Sequence, residues 1–182
     1  DDTVPRFDFE THLARLTAPD PGWPEGTRRI SELRLSLRVQ PGGLWAGWSG
    51  PRTVHLDIVD YPGEWLLDLA LMQISFADWS ARALALAAVR PGGADYLAAL
   101  GAVDPAGRLD EAQARLLATA WTDHLRQARA AGYSDRSPGR FLLPGDLAGS
   151  PVLTFAPLPK PASTARGSLW REMERRYDAY RS

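Results

Sequence analysis

The hydrophobic pattern changes period along the chain. Phe9, Leu13 and Leu16 recur at helical spacing and predict a short helix over 7–16. Pro19, Pro21, Gly22 and Pro24 force a loop after it. From Arg29 onward, polar and charged positions alternate with Leu33, Leu35, Leu37 and Val39, which predicts a half-buried strand. Pro41-Gly42-Gly43 opens a turn region running to Gly50-Pro51 and carrying Leu44, Trp45 and Trp48. Thr53 to Asp60 is apolar enough to predict a second strand, largely buried on both faces. The simplest arrangement is an antiparallel hairpin with a long loop.

Past Tyr61-Pro62-Gly63 the period becomes helical. Helices are predicted over 64–74, 77–89, 94–101 and 109–131. The long one presents Leu116, Leu117, Trp121, His124, Leu125 and Ala128 inward. Residues 133–168 are rich in Pro, Gly and Ser, with one apolar run, Pro151 to Ala156, that reads as a strand or an extended tether. A last helix begins near Ser168, with Glu172 at a spacing close to that of a capping box. The fold class is α/β: a small antiparallel strand pair joined to a larger helical part. Two or three strands are few for such a chain and a hairpin alone is marginal, so the expectation is an internal section of a larger protein.

Composition narrows the chemistry. The 182 residues carry a net charge of −1 from 21 basic and 22 acidic side chains, which disfavours a nucleic-acid clamp. Absence of cysteine excludes disulfides, thiol nucleophiles and Cys-ligated zinc. No apolar run is long enough to span a membrane and no signal peptide is evident, so the expected location is the cytoplasm. Lys160, between two prolines, is the only lysine, so no phosphate-cradling Gly-Lys-Ser/Thr loop exists within the chain. His12, His55 and His124 lack metal-ligand spacing, and Gly47-Trp-Ser-Gly50 lacks the last glycine of a nucleophile elbow.

One stretch combines several chemical requirements. Leu56-Asp57-Ile58-Val59-Asp60-Tyr61-Pro62-Gly63-Glu64 delivers Asp60 at the carboxyl end of a strand, then a glycine without a Cβ, then Glu64 at a helix start. Asp-x-x-Gly in that setting suits a Mg²⁺-nucleotide switch, with the carboxylate toward the metal and the glycine amide toward a γ-phosphate. It equally suits an ordinary Pro-Gly turn whose acid satisfies nearby amides.

The segment from Thr27 to Leu37, the run through Asp60-Tyr-Pro-Gly-Glu-Trp65, Gly139 to Asp146, Ser150 to Pro157, and Met173 to Tyr180 resemble, in order, the YcjX-type P-loop NTPase family. The resemblance runs from near residue 5 to the end. It implies a bacterial, stress-associated cytoplasmic protein binding and hydrolysing GTP or ATP with Mg²⁺. Residues 1–64 would be the switch and strand section of a P-loop sheet, and 65–182 a helical insertion. By position, Asp60 would be the magnesium residue, Gly63 the γ-phosphate sensor, Thr27 a switch threonine, and Glu64 the residue orienting water. A carboxylate beside a γ-phosphate needs magnesium or an arginine to offset its charge; otherwise Glu64 acts as a base toward water or pairs with Arg28 or Arg29. Implied partners are the nucleoside triphosphate, the rest of the NTPase domain and a protein docking on the helices. A non-catalytic α+β interaction module is the alternative.

Overall fold

In a computed structural model, residues 4–24, 26–40 and 50–182 are described. The turn region with Trp45 and Trp48, and most of the Gly47–Gly50 run, lie outside them. The chain forms two compact units, residues 1–63 and 64–182. Among the described residues the architecture is mixed α/β, with one two-stranded sheet and six α-helices.

In the first unit, α1 (Phe9–Leu16) is capped by Asp8, whose carboxylate accepts from the Thr11 amide at 3.1 Å. Strand β1 (Ser31–Val39) pairs antiparallel with β2 (Arg52–Asp60), in a register that sets Ser31 opposite Asp60 and Leu35 opposite Leu56. The alternation therefore gives the predicted ladder. The burial expected of β2 is not found: all of it is exposed except Asp60, which is half-buried. A two-stranded ladder has no third strand or layer to remove its faces from water. Of the described residues in this unit, only Ser31 and Pro62 are buried.

The second unit has a core. Helices α3 (Phe76–Ala87), α4 (Gly93–Gly101), α5 (Glu111–Ala130) and α6 (Leu169–Arg181) supply Phe76, Trp79, Tyr96, Leu117, Trp121, Trp170, Met173 and Tyr177, all at most 5% exposed. Trp79 lies against Tyr177, Phe155 and Trp121, with ring centroids 5.2, 5.5 and 6.1 Å away. The inner face of α5 is Ala114, Leu117, Ala118, Trp121, His124, Leu125 and Ala128. Leu116, expected on it, is 70% exposed, because one residue before Leu117 is a 100° rotation away from the stripe.

Three further expectations change in detail. The helix predicted over 64–74 is one turn of α-helix, α2 (Gly63–Leu66), followed by a 3₁₀ stretch, Leu67–Gln73. The apolar run at 151–156 is a 3₁₀ turn, Pro151–Leu153, that leads into an unpaired extended segment, where Phe155, Ala156 and Leu158 are fully buried. Side chains satisfy part of its backbone: Tyr96 donates to the Pro157 carbonyl at 2.5 Å, and the Leu158 amide donates to Ser80 Oγ at 3.3 Å. Ser168 caps α6 through the Arg171 amide, whereas Glu172, one residue too far for a capping box, accepts from Arg175 and Arg176. No helix among the described residues is long and apolar enough to cross a membrane.

Candidate functional site

The hairpin register brings two of the four predicted residues together. Asp60 ends β2 and faces Ser31, so the segment leading into β1 passes the strand's carboxyl end. There the Thr27 hydroxyl donates to Asp60 Oδ2, across 33 residues of sequence. Both groups are half-buried, and their free lone pairs are hard oxygen donors of the kind magnesium takes. Among the described residues no three His, Asp or Glu side chains gather as a metal cage. A cation at Asp60 would thus draw other ligands from non-protein oxygens, as magnesium does on phosphates. The residues present fit such an ion.

Beside Thr27 and Asp60 runs a groove of about 690 Å³, lined by Phe9, Leu13 and Leu16 of α1, by Trp23, and by Leu33 and Ile58 of the sheet. Hydrophobic spacing picked out the α1 residues. The juxtaposition with Thr27 needed the ladder register, which no local pattern carries.

Gly63 is the first residue of α2 and is exposed. It does not have a positive φ, and a Cβ built on it would meet nothing within 4 Å. The protein's own backbone geometry and packing give no reason for glycine at this position.

Glu64 belongs to the second unit, where several groups fix it. Its carboxylate pairs with Arg129 of α5 at 2.9 Å and its side chain is 17% exposed. The next residue, Trp65, donates from Nε1 to the Leu143 carbonyl at 2.8 Å, and the Arg140 guanidinium lies 4.1 Å over its ring. Asp68 accepts from the Gly139 amide at 2.7 Å and from the Tyr180 hydroxyl, and burial raises its carboxyl above the usual range. A Cβ on Gly139 would lie 1.7 Å from the Glu64 carbonyl oxygen, so only glycine lets this loop reach the start of α2. The Gly139-to-Asp146 motif is thus a collar around residues 64–68, closed by an Arg140–Asp146 ion pair at 3.1 Å. Sequence reading found the motif without its purpose, and missed Arg129 altogether, 65 positions from the acid it neutralises.

The histidines have ordinary partners. His55 Nδ1 lies 3.0 Å from Ser36 Oγ on the exposed sheet, and the His12 ring is 4.9 Å from that of Phe7. His124 is buried, and its Nδ1 lies 2.9 Å from the Pro91 carbonyl, so that nitrogen carries the proton and donates. Desolvation holds its pKa below the usual imidazole range.

The family model described as YcjX-like family, DUF463, matches residues 1–182. A protein of Escherichia coli strain K12 named "Ras-like GTPase YcjX" is 40% identical over 159 residues, covering 86% of this chain and 34% of that protein. A protein of the same name from Shewanella oneidensis is 36% identical over 190 residues, covering 97% of this chain and 39% of that one. The chain therefore spans between a third and two-fifths of the length of these relatives.

Proposed function

The chain belongs to the YcjX-like family, and on that footing we propose that residues 27–64 carry the switch end of a GTP-binding and GTP-hydrolysing site. GTP is preferred to ATP because both relatives are named GTPases. The observation that carries the reading is the Thr27–Asp60 hydrogen bond, which gathers two hard oxygen groups at the end of β2 three residues before Gly63.

Each residue has a part set by its own chemistry. Asp60, with Thr27 beside it, would hold Mg²⁺, which when bound neutralises charge on the β- and γ-phosphates. Gly63 presents its amide to the γ-phosphate, and the space around its Cα is what a close-approaching phosphate needs. Glu64 orients the attacking water. Within the second unit its charge is balanced by Arg129 at 2.9 Å. The phosphate cradle would come from polypeptide of the family-length protein outside residues 1–182, since the chain has no Gly-x-x-x-x-Gly-Lys-Ser/Thr. Without that cradle the 182 residues alone lack the main electrostatic stabilisation of phosphoryl transfer and turn over no GTP.

Fluorescent GTP titration of the family-length protein, with and without Mg²⁺, tests the assignment. Asp60→Ala removes a charged partner worth about 1.5–3 kcal/mol, so Mg²⁺-dependent affinity should fall about tenfold or more. Glu64→Gln should lower turnover by more than about threefold with affinity preserved. Unchanged GTP affinity in Asp60→Ala overturns the reading. The second reading, a non-catalytic α+β interaction module, is favoured by the same hydrogen bond: Thr27 already satisfies Asp60 within the chain, as in a structural turn. It predicts a flat titration for the unaltered protein.

A further inference from the structure

Between α3, α5, the Leu67–Gln73 stretch and the loop at 135–137 lies a cavity of about 280 Å³, wholly within the second unit. Its walls are Leu71, Ile74, Ala83, Leu86 and Leu125, with the indoles of Trp79 and Trp121. An apolar cavity of about 150 Å³ already takes a benzene ring, so this one has room for a ring with substituents. Among the described residues, four polar groups that line it have no hydrogen-bonding partner. Trp121 is 2% exposed, and its Nε1–H is a buried donor without an acceptor, a rare state that calls for an explanation. The edge-on rings of Tyr96 and Trp79 give it at most a weak π contact. His124 donates from Nδ1 to the Pro91 carbonyl, which leaves a lone pair on Nε2 with no donor bonded to it. The two ring centroids are 4.9 Å apart, so one ligand hydroxyl can accept from Trp121 and donate to His124. Ser137 Oγ and the guanidinium of Arg82 are the other two groups, and Arg82, being exposed, marks the solvent end of the cavity.

Charge sets the chemistry of that end. Arg82 and Arg90 both line the cavity, and Asp135 alone opposes them, 3.9 Å from Arg90. One positive charge is left over, on Arg82. It matches a carboxylate, which a guanidinium grips with two parallel bonds, better than a phosphate group, which brings a charge of nearly two. A mere packing fault would leave an apolar void. A buried donor, a buried acceptor and an unpaired cation converging on one apolar cavity are instead the make-up of a small-molecule site. We propose that this cavity binds a small aromatic acid carrying a hydroxyl: the ring lies among the apolar walls, the hydroxyl between Trp121 Nε1 and His124 Nε2, and the carboxylate on Arg82. The site shares no residue with Thr27 and Asp60, and the inference stands without any nucleotide.

Titration of the family-length protein with 4-hydroxybenzoate and 4-hydroxyphenylacetate tests it, by calorimetry and by nuclear magnetic resonance of isotope-labelled tryptophan indoles. Trp121→Phe identifies the Trp121 signal as the one that disappears. At least one of the two acids should bind with a Kd below about 1 mM and move that signal. 4-Hydroxybenzyl alcohol, which lacks the charge, and benzoate, which lacks the hydroxyl, should each bind about tenfold more weakly. Since Trp121 belongs to the core, the decisive variant is Arg82→Gln, at an exposed side chain that holds nothing in place. It should lower affinity for the acid about tenfold and leave affinity for the alcohol unchanged, with the melting temperature preserved. Three outcomes overturn the proposal: no binding of either acid up to about 5 mM, as for a cavity filled by water or by other polypeptide; binding that leaves the Trp121 signal unmoved; or equal affinity of acid and alcohol, as for an apolar void. GTP is absent throughout, so a failed GTP titration leaves this site standing, and failure here leaves the nucleotide site untouched.

Discussion

Leu56 and Trp79 are both hydrophobic residues in regular structure, and they have opposite fates. Leu56, in the first unit, keeps 47% of its surface exposed; Trp79, in the second, keeps 5% and touches four other aromatic rings. The contrast extends to each whole unit. Residues 64–182 enclose every buried member of the hydrophobic core, whereas the described part of residues 1–63 buries only Ser31 and Pro62. Period-2 alternation is enough to specify a ladder, but the stability of a ladder comes from what lies on its faces. The helical unit carries its own cover and the hairpin does not. Trp79→Ala should therefore cost the 182-residue chain about 3–5 kcal/mol by urea denaturation of its helical signal. Leu56→Ala should stay within about 0.5 kcal/mol. Comparable losses at the two positions would break the comparison.

Ion pairs sharpen it. Arg176 has a side chain 6% exposed and bonds Glu111 at 2.6 Å, Glu172 at 2.9 Å and the Thr154 carbonyl at 3.0 Å, joining α6, the start of α5 and the buried extended segment. Arg34 and Asp57 make an equally short contact at 2.5 Å, with side chains 62% and 42% exposed. Glu172 keeps Arg175 when Arg176 is removed, so what Arg176→Ala loses is a nearly buried guanidinium and its charged hydrogen bonds, and the helical unit should be destabilised by about 1.5–3 kcal/mol. Arg34→Ala should cost under about 1 kcal/mol, since water screens the pair already. Paired denaturation curves at low and high salt check this, with Arg34 alone becoming neutral in salt.

Acid should find the second unit first. Hydrogen bonds from Arg175, with Arg176 adding to them, hold the Glu172 carboxyl at about 2. Desolvation keeps His124 below the imidazole range. Both folded-state values are depressed, so in each case the unfolded chain binds the proton first as pH falls. Stability is then lost in two windows: below about pH 6.5 from His124, and from about pH 4.5 down to 2 from Glu172. Asp68, raised by burial, opposes this, because it is protonated in the folded state before the unfolded chain takes up its proton. Urea midpoints measured across the two windows should fall twice, and Glu172→Gln should flatten the lower fall. A midpoint constant from neutrality to about pH 3 would contradict the assignment.

What the sequence could reveal follows the range of the interaction. The strands, the helices after residue 75 and the Asp60-to-Glu64 run rest on local periodicity and turn chemistry, and they were legible. Leu116 was misplaced because the apolar pattern of α5 includes one leucine off the stripe, and leucine alone does not say which side is wet. The exposure of β2 was illegible for a different reason: an apolar run states what a strand needs, and nothing local says whether a cover is at hand. At the candidate site, resemblance supplied Thr27 and register supplied its bond to Asp60. Arg129 and the collar at 139–146 act on Glu64 and its neighbours from 65 or more residues away, which no local pattern encodes.

The smallest expected effect on stability separates structure from function most cleanly. Gly139 and Gly63 both follow a proline, yet a Cβ on Gly139 would lie 1.7 Å from the Glu64 carbonyl oxygen, while one on Gly63 would meet nothing within 4 Å. Gly139→Ala must push the collar away and should destabilise the helical unit by about 1–3 kcal/mol. Gly63 has no positive φ and begins a helix, so Gly63→Ala should be neutral or raise stability by about 0.4–1 kcal/mol, through a less free unfolded chain. If its amide instead faces a γ-phosphate, the same methyl group should weaken GTP binding in the family-length protein while leaving its melting temperature unchanged or higher. GTP affinity and stability both unmoved would show Gly63 to be an ordinary turn residue and remove the phosphate sensor from the site.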